Sequence, residues 1–232
     1  MAGRGLFVVG TDTDVGKTHV AALIVEALAT AGRRVGVYKP VASGVDPRHP
    51  ETSDAARLAW ATGRPLDLSQ VCPQAFAVAC APHRSARAEG REVDEPLLRR
   101  GLAQWLETSD LVVVEGAGGL CSPLGATTLV VDLARDVGLP LVVVDDARLG
   151  AVGRSLATVR VARAAGLVVA AIVLSHTRPD ASVTSDVAGS HRIAIDAAAD
   201  LAAWLPGIPI GILAHGGRAP QPPIDWLGIV DR

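Results

Sequence analysis

The sequence predicts a single α/β domain, with a mostly parallel sheet and helices on both of its faces. Three observations carry this. Runs apolar on both faces recur along the chain, as in LFVVG (6–10), LVVVEG (111–116) and LVVVDD (141–146), and a strand with no polar face must be covered from both sides. Stretches of helical length separate the runs, as crossovers between parallel strands require. The 232 residues, 49% of them hydrophobic, suffice for one well-buried domain and are few for two. No internal repeat or long linker divides 1–232.

The elements follow in order. Residues 6–10 form the first strand. Residues 17–31 form a helix stopped by Gly32, and RVGVYKP (34–40) is a second strand ended by Pro40. Residues 95–107 read as one helix with Leu98, Leu102, Trp105 and Leu106 on one face and Pro96 near its start. The strands 111–116, 141–146 and 168–175 come next, then a short one at 207–213. Residues 154–165 form a helix closed by Gly166. The Gly/Pro-rich stretch from Gly216 to Pro223 is expected as a surface loop, with Trp226 packing back.

Composition excludes several partner classes. Aromatic residues make up 3%, so the core is built from Ala, Val and Leu. A formal charge of −2 offers no basic surface for nucleic acid or an anionic membrane, and neither is expected as a partner. No apolar stretch reaches membrane-spanning length. Cys72, Cys80 and Cys121 are odd in number and form no C-x-x-C pair, which reads as reduced thiols. The segment MAGRG leads straight into a strand without a signal-peptide pattern, and the expected location is cytoplasmic.

In a doubly wound sheet ligands bind at the carboxyl ends of the strands. The first strand delivers GTDTDVGKT, Gly10 to Thr18. The strict pattern G-x-x-x-x-G-K-[ST] requires glycine at position 11, where Thr11 stands instead. The segment still reads as a phosphate loop, because consecutive N–H groups form an anion nest and the following helix adds its positive end. Gly16 lets the backbone approach phosphates, Lys17 can reach the outer phosphates and the Thr18 hydroxyl can bind magnesium. The fold expectation thereby narrows to a P-loop NTPase-type sheet. The competing reading is a polar strand–helix turn with an incidental Gly-Lys-Thr.

The second strand delivers Lys39 in YKPVASG. A lysine there is commonly a solvated rim residue, but beside a phosphate site it can offset charge on a transferred phosphoryl group. LVVVEG delivers Glu115, followed by Gly116–Gly119. An acid after an apolar strand is the Walker-B arrangement, and the glycines let a ligand come close; the alternative is a Gly-rich turn. Asp54, at a helix start in ETSDAARLA, suits either a cap or a second magnesium carboxylate. The six histidines are scattered without metal-ligand spacing, and there is no G-x-S-x-G elbow.

In this order and spacing, GTDTDVGKT, YKPVASG, SDA and VEGAGGL resemble the dethiobiotin synthetases, and APHRSARAEGR (81–91) resembles that family's segment after SDA. The resemblance runs to about Gly150 and then fades. That family's phosphate loop carries the same displaced glycine. The resemblance implies a cyclo-ligase of biotin biosynthesis that closes a ureido ring on 7,8-diaminononanoate with CO2. It implies ATP or another NTP as co-substrate, Mg2+ as cofactor, and a carbamate activated as a carbamic-phosphoric anhydride. It assigns Lys17 and Lys39 to phosphoryl transfer, and Thr18, Asp54 and Glu115 to magnesium. It assigns Asp14, Val15, Gly16, His19, Gly116, Ala117 and Gly118 to the nucleotide, with Ser175 and His176 at the base end. Thr13, Ser43, Gly119, Gly150 and Gly153 fall to the substrate. It also implies a homodimer with substrate near the interface.

Two places depart from the family pattern. Where the family commonly has Asn-Asp, contacting adenine, this chain has Ser175-His176, and Ala214-His215-Gly216 replaces a frequent Pro-Trp-Leu stretch. Weak discrimination among NTPs is therefore expected. After LG the family usually has Asn-His, where Gly153-Arg154 stands here. The helix start, with Arg154 beside it, is expected to seat the substrate carboxylate; Asp145 and Asp146 have no assigned part. Two other readings compete. A MinD/ParA-like switch ATPase usually carries a lysine early in the loop, and Thr11, Asp12 and Thr13 are not basic. A related P-loop ligase on another carboxylate or carbamate is the second; its amidotransferase form adds a glutaminase domain for which 232 residues leave no room.

Overall fold

The computed structural model describes residues 4–178 and 186–231. The chain runs β1 (Gly5–Gly10), α1 (Lys17–Thr30), β2 (Val35–Tyr38), α2 (Asp54–Ala61), α3 (Leu68–Val71), α4 (Pro82–Ala88), α5 (Glu95–Arg100), α6 (Ala103–Thr108) and β3 (Leu111–Gly119). It continues through α7 (Val130–Val137), β4 (Leu141–Asp146), α8 (Ala151–Ala164), β5 (Val169–Ser175), α9 (Asp186–Trp204), β6 (Ile210–Leu213) and α10 (Trp226–Val230).

The six strands form one sheet in the order β2-β3-β1-β4-β5-β6, every pairing parallel. The connection from β1 to β2 runs one way across the sheet. Those from β3 to β4, β5 and β6 run the other way. Right-handed crossovers therefore put α1 on one face and α7, α8 and α9 on the other. Helix α1 packs on β1, β2 and β3 and against α2 and α10, while α8 packs on β4 and β5 and against α9. Every residue of β1 and β2 is buried, as the apolar runs predict. All six carboxyl ends gather at one edge, which is the edge where ligands of such sheets bind.

The expected helix over 95–107 is two helices. The Tyr38 hydroxyl donates to the carbonyls of Leu97 (3.0 Å) and Leu98 (3.3 Å). The Leu102 N–H turns to Arg99 O instead of Leu98 O, so the helix tightens and restarts. Gly101 lies against that hydroxyl; a Cβ there would stand 2.3 Å from it. Leu98, Leu102 and Trp105 are buried as expected, but Leu106 is exposed.

Boundaries shift for identifiable reasons. Strand β2 ends at Tyr38 because the Lys39 N–H leaves the sheet for Val71 O (2.8 Å). Helix α8 starts at Ala151, three residues earlier than expected, behind Gly150 in the left-handed region (φ 89°). The sequence reading assigned no helix to α9. Gly216–Pro223 is a loop, and Trp226 is buried against the core as expected. Cys72, Cys80 and Cys121 are free thiols. Among the described residues no helix is long and apolar enough to cross a membrane.

Candidate functional site

The loop after β1 accounts for its own displaced glycine. A Cβ at Gly10 would stand 2.5 Å from Asp12 O and 3.0 Å from the Lys17 stem, so position 10 must be glycine for the loop to fold back. Thr11 serves the opposite purpose. Its N–H donates to Val144 O (2.9 Å) and its hydroxyl to Asp145 Oδ1 (2.5 Å), which ties the loop to β4. Gly16 has φ 90°, and a Cβ there would stand 2.7 Å from Ser175 Oγ. No side chain caps α1, which leaves the N–H groups of its first turn to a bound anion. Lys17 Nζ donates to Asp12 O (2.8 Å). Burial holds the Lys17 pKa below its ordinary value, against the pull of Glu115.

Lys39 is 3% exposed. Its ammonium sits 2.7 Å from Glu115 Oε1 and 2.8 Å from Asp54 Oδ2. Burial disfavours that charge, but the two carboxylates outweigh burial and raise the Lys39 pKa above its ordinary value. Burial likewise opposes ionisation of Asp54, and Lys39 overrides it, holding that carboxyl below its usual range. Glu115 is 0% exposed and its Oε1 also accepts from the Thr18 hydroxyl (2.8 Å). Its Oε2 is buried with no hydrogen-bond partner among the described residues. An orphaned buried carboxylate oxygen is costly unless something else meets it.

That oxygen decides whether the residues suit Mg2+. Glu115 Oε2, the Thr18 hydroxyl and the Asp54 carboxylate are hard oxygen donors, the set a magnesium ion takes together with water and phosphate oxygens. Among the described residues no group of three or more His, Cys, Asp or Glu side chains could hold a metal. A sparse protein set of this kind fits magnesium, which keeps much of its own hydration.

These residues line a cavity of about 560 Å³. Of the sequence-predicted residues, Thr13, Asp14, Gly16, Lys17, Thr18, His19, Lys39, Ser43, Asp54, Glu115, Ala117, Gly118, Ser175 and His176 all reach it. His215 and Gly216 of the loop after β6 close one end. A second cavity of about 610 Å³ shares Thr13, Asp14, Ser43, Asp54, Ala117 and Gly118, and extends to Asp46, Thr52, Cys80, Ser122 and Pro123.

Other predicted positions fall elsewhere. Val15 is buried behind the loop. Gly116 packs on the Phe7 ring and Gly119 on the Thr11 carbonyl, both closer than a Cβ would allow without adjustment. Gly150 and Gly153 are exposed and line neither cavity. Arg154 corrects an expectation, because it is not held out for an anion. Its Nε donates to Asp145 Oδ1 (2.9 Å), and its Nη atoms donate to the carbonyls of Asp146 (3.0 Å) and Leu149 (3.2 Å). Asp145, 0% exposed, also accepts from Ser155 Oγ (3.1 Å) and the Asp146 N–H (2.8 Å). Asp145 thus anchors Thr11 and Arg154 alike.

The sequence reading missed Arg57 and Thr177 in the first cavity and Asp46, Thr52, Cys80 and Ser122 in the second. Arg57 had a legible signal: it lies three residues after Asp54, on the same face of a helix. The others reach the clefts only through chain reversals that no local pattern encodes.

Glu95 holds the loop that carries Ser122 and Pro123. It accepts from the Thr127 N–H (3.0 Å) and hydroxyl (2.8 Å) and from the Thr128 hydroxyl. Burial, the largest single influence, opposes its charge, but these bonds together outweigh it and lower its pKa from 4.5 to about 2. The stabilisation is therefore in place above about pH 4.5 and is lost as pH falls towards 2. Glu95→Gln is expected to lower Tm at pH 7, with the gap from the unaltered protein closing across that acid window. A gap independent of pH would contradict this; melting curves from pH 7 to 2 decide.

The family described as "AAA domain" matches residues 4–203. The chain is 44% identical over 182 residues to the ATP-dependent dethiobiotin synthetase BioD of Rhodopirellula baltica, covering 73% of this chain and 71% of that protein. It is 39% identical over 216 residues to the enzyme of the same name from Caulobacter vibrioides (strain NA1000 / CB15N), covering 90% and 99%. Among solved structures, cell division protein FtsY of Thermotoga maritima superposes with a TM-score of 0.53 at 16% identity, over 99% of this chain and 67% of that one. At that identity the likeness is one of fold alone.

Proposed function

The chain belongs to the ATP-dependent dethiobiotin synthetases, and from that premise we propose how its clefts divide the work of the ligation. The protein is an ATP-dependent ligase of biotin biosynthesis. The proposal concerns which residues act, on which groups, and in which order.

The observation that carries it is the junction of the two cavities. Asp54, the partner of the buried Lys39 ammonium, lines both of them. A nucleotide in the first cavity therefore presents its terminal phosphate beside a second cavity of similar size, sized for 7,8-diaminononanoate. The diamine first takes up CO2 on one nitrogen as a carbamate. A carbamate oxygen attacks the γ-phosphorus and ADP leaves, giving a carbamic-phosphoric anhydride. The second amine attacks the carbamoyl carbon, inorganic phosphate leaves with its electron pair, and the ureido ring closes.

The reaction needs positioning and charge neutralisation more than covalent help from the protein. The loop Gly10–Thr18 cradles the phosphates with backbone N–H groups. Lys17 leaves its resting contact with Asp12 O to reach the outer phosphates. Lys39 supplies fixed positive charge at the transferring group without having to be reoriented. Thr18, Asp54 and Glu115 would hold Mg2+, which would supply positive charge to neutralise the phosphates. Ser43, Thr13 and the backbone at Gly118, all of which line both cavities, position the carbamate end of the substrate.

The remaining proposals are coarser. One domain spans residues 1–232, and the enzyme works in the cytoplasm as a homodimer. Leu149 is 82% exposed beside Gly150, which supports placing the second copy at the start of α8. At the base end stand a hydroxyl and an imidazole, Ser175 and His176, and among the described residues no carboxamide lines the cavity to read a base edge on two atoms. Weak selection among bases follows.

A coupled assay tests the whole reading. Protein, diaminononanoate, bicarbonate and magnesium are mixed with each NTP in turn, and dethiobiotin is measured. Dethiobiotin is expected with ATP, CTP and GTP, their kcat/KM values lying within about a hundredfold. NTP hydrolysis indifferent to the diamine would favour a switch ATPase instead.

A further inference from the structure

We propose that Arg57 is a nucleotide-binding residue that grips the inner phosphate of the NTP, and that His19 holds it in waiting. The inference rests on the reading of the first cavity as the nucleotide site, and goes beyond it by adding a residue to which neither the loop nor the family resemblance gives a part. Arg57 lies on α2, one turn beyond Asp54, and lines that cavity together with His19. Among the described residues it forms no ion pair, whereas Lys39 on the same cavity is already held by two carboxylates. A guanidinium without an anionic partner, on the wall of a cavity built for a polyanion, is a free cation for that polyanion.

Its present partner is His19. Arg57 Nη2 stands 3.3 Å from His19 Nδ1, and His19 Nε2 stands 3.1 Å from Gly217 O. One tautomer satisfies both contacts: Nε2–H donates to the carbonyl and Nδ1 accepts from the guanidinium. The guanidinium spends one donor on His19 and keeps its others.

Position along α1 selects the phosphate. Lys17 serves the outer phosphates and Thr18 the metal. His19 is the next residue round the first turn, and its Nε2 meets Gly217 O, beside the His215–Gly216 lining of the cavity. A cation tethered to His19 therefore lies between the outer phosphates and the base, where the α-phosphate of an extended nucleotide passes. Arg57 is exposed, so its side chain can swing and its removal costs the core nothing.

Equilibrium binding of ATP, ADP and adenosine to the whole protein tests this. Arg57→Ala is expected to weaken ATP and ADP by the same factor, about 10- to 100-fold, as for loss of a charge-assisted bond. Adenosine affinity and Tm are expected to stay unchanged, and Arg57→Lys to fall between. Unchanged ATP and ADP affinity, a loss confined to ATP, or an equal loss for adenosine would each overturn the assignment. Lys17→Ala separates the two levels. If it weakens ADP while Arg57→Ala does not, the nucleotide site stands and this inference falls; if neither variant matters, the nucleotide reading falls with it.

Discussion

Lys39→Ala is expected to lower kcat by about 10²- to 10³-fold, the size of effect seen when a preorganised charge stabiliser is removed from a transition state, while KM for ATP changes by less than about fivefold. The ammonium is buried between Glu115 Oε1 and Asp54 Oδ2, so it is oriented before substrate arrives and needs no rearrangement at the moment of transfer. In the proposed mechanism ground-state nucleotide is held by the loop and by Lys17. The added value of Lys39 lies where charge develops, at the phosphoryl group passing from one cavity to the other. The variant also leaves the Glu115 carboxylate buried without its cation, which costs roughly 3–5 kcal/mol of stability. Kinetics are therefore taken well below a Tm measured on the same sample. Equal losses in kcat and in ATP binding would mean that Lys39 merely binds, and would remove it from the chemistry. Lys39→Arg is not expected to rescue, since a planar guanidinium cannot take the compact place of an ammonium between two carboxylates.

Glu115→Gln is expected to raise the magnesium concentration for half-maximal activity by at least about tenfold and to lower kcat by about 10²-fold at saturating magnesium. The carboxamide keeps one oxygen able to accept from Thr18 and Lys39. It replaces the other oxygen with an N–H2 group that cannot ligate a metal. In the native chain that second oxygen, Oε2, is a buried acceptor with no partner among the described residues, so the substitution tests whether its partner is the metal ion. The Lys39 pKa falls in the variant, because one of the two carboxylates raising it is gone. Activity titrated against magnesium, alongside ADP binding without metal, checks the expectation. An unchanged magnesium requirement with reduced kcat would show that Glu115 serves only to hold Lys39.

Much of this site was legible as residue types and little of it as contacts. Gly10–Thr18 could be read as a phosphate loop because its residues act as consecutive neighbours, and a helix following a buried strand puts them in place. Lys39 and Glu115 could each be read as strand-end residues. Their pairing could not, since 76 positions separate them and only β2 lying beside β3 brings them together. Arg154 departs from its expected part for the same reason. A basic residue at a helix start suggests an anion seat, but Asp145 at the end of β4 reaches it first. The helix over 95–107 reads as continuous by its own periodicity and breaks only because Tyr38, on another element, draws off the Leu97 and Leu98 carbonyls.

The sequence by itself determined the strands, the phosphate loop and the identity of the catalytic and metal-binding candidates. Apolar runs report burial directly, and a loop between strand and helix has few ways to fold. The tertiary structure alone decided the partners: Lys39 between Asp54 and Glu115, Thr11 and Arg154 on Asp145, and Arg57 on His19. Those contacts depend on which strands lie side by side and which helix covers them. That order comes from the packing of the whole sheet, and no local period in the chain encodes it.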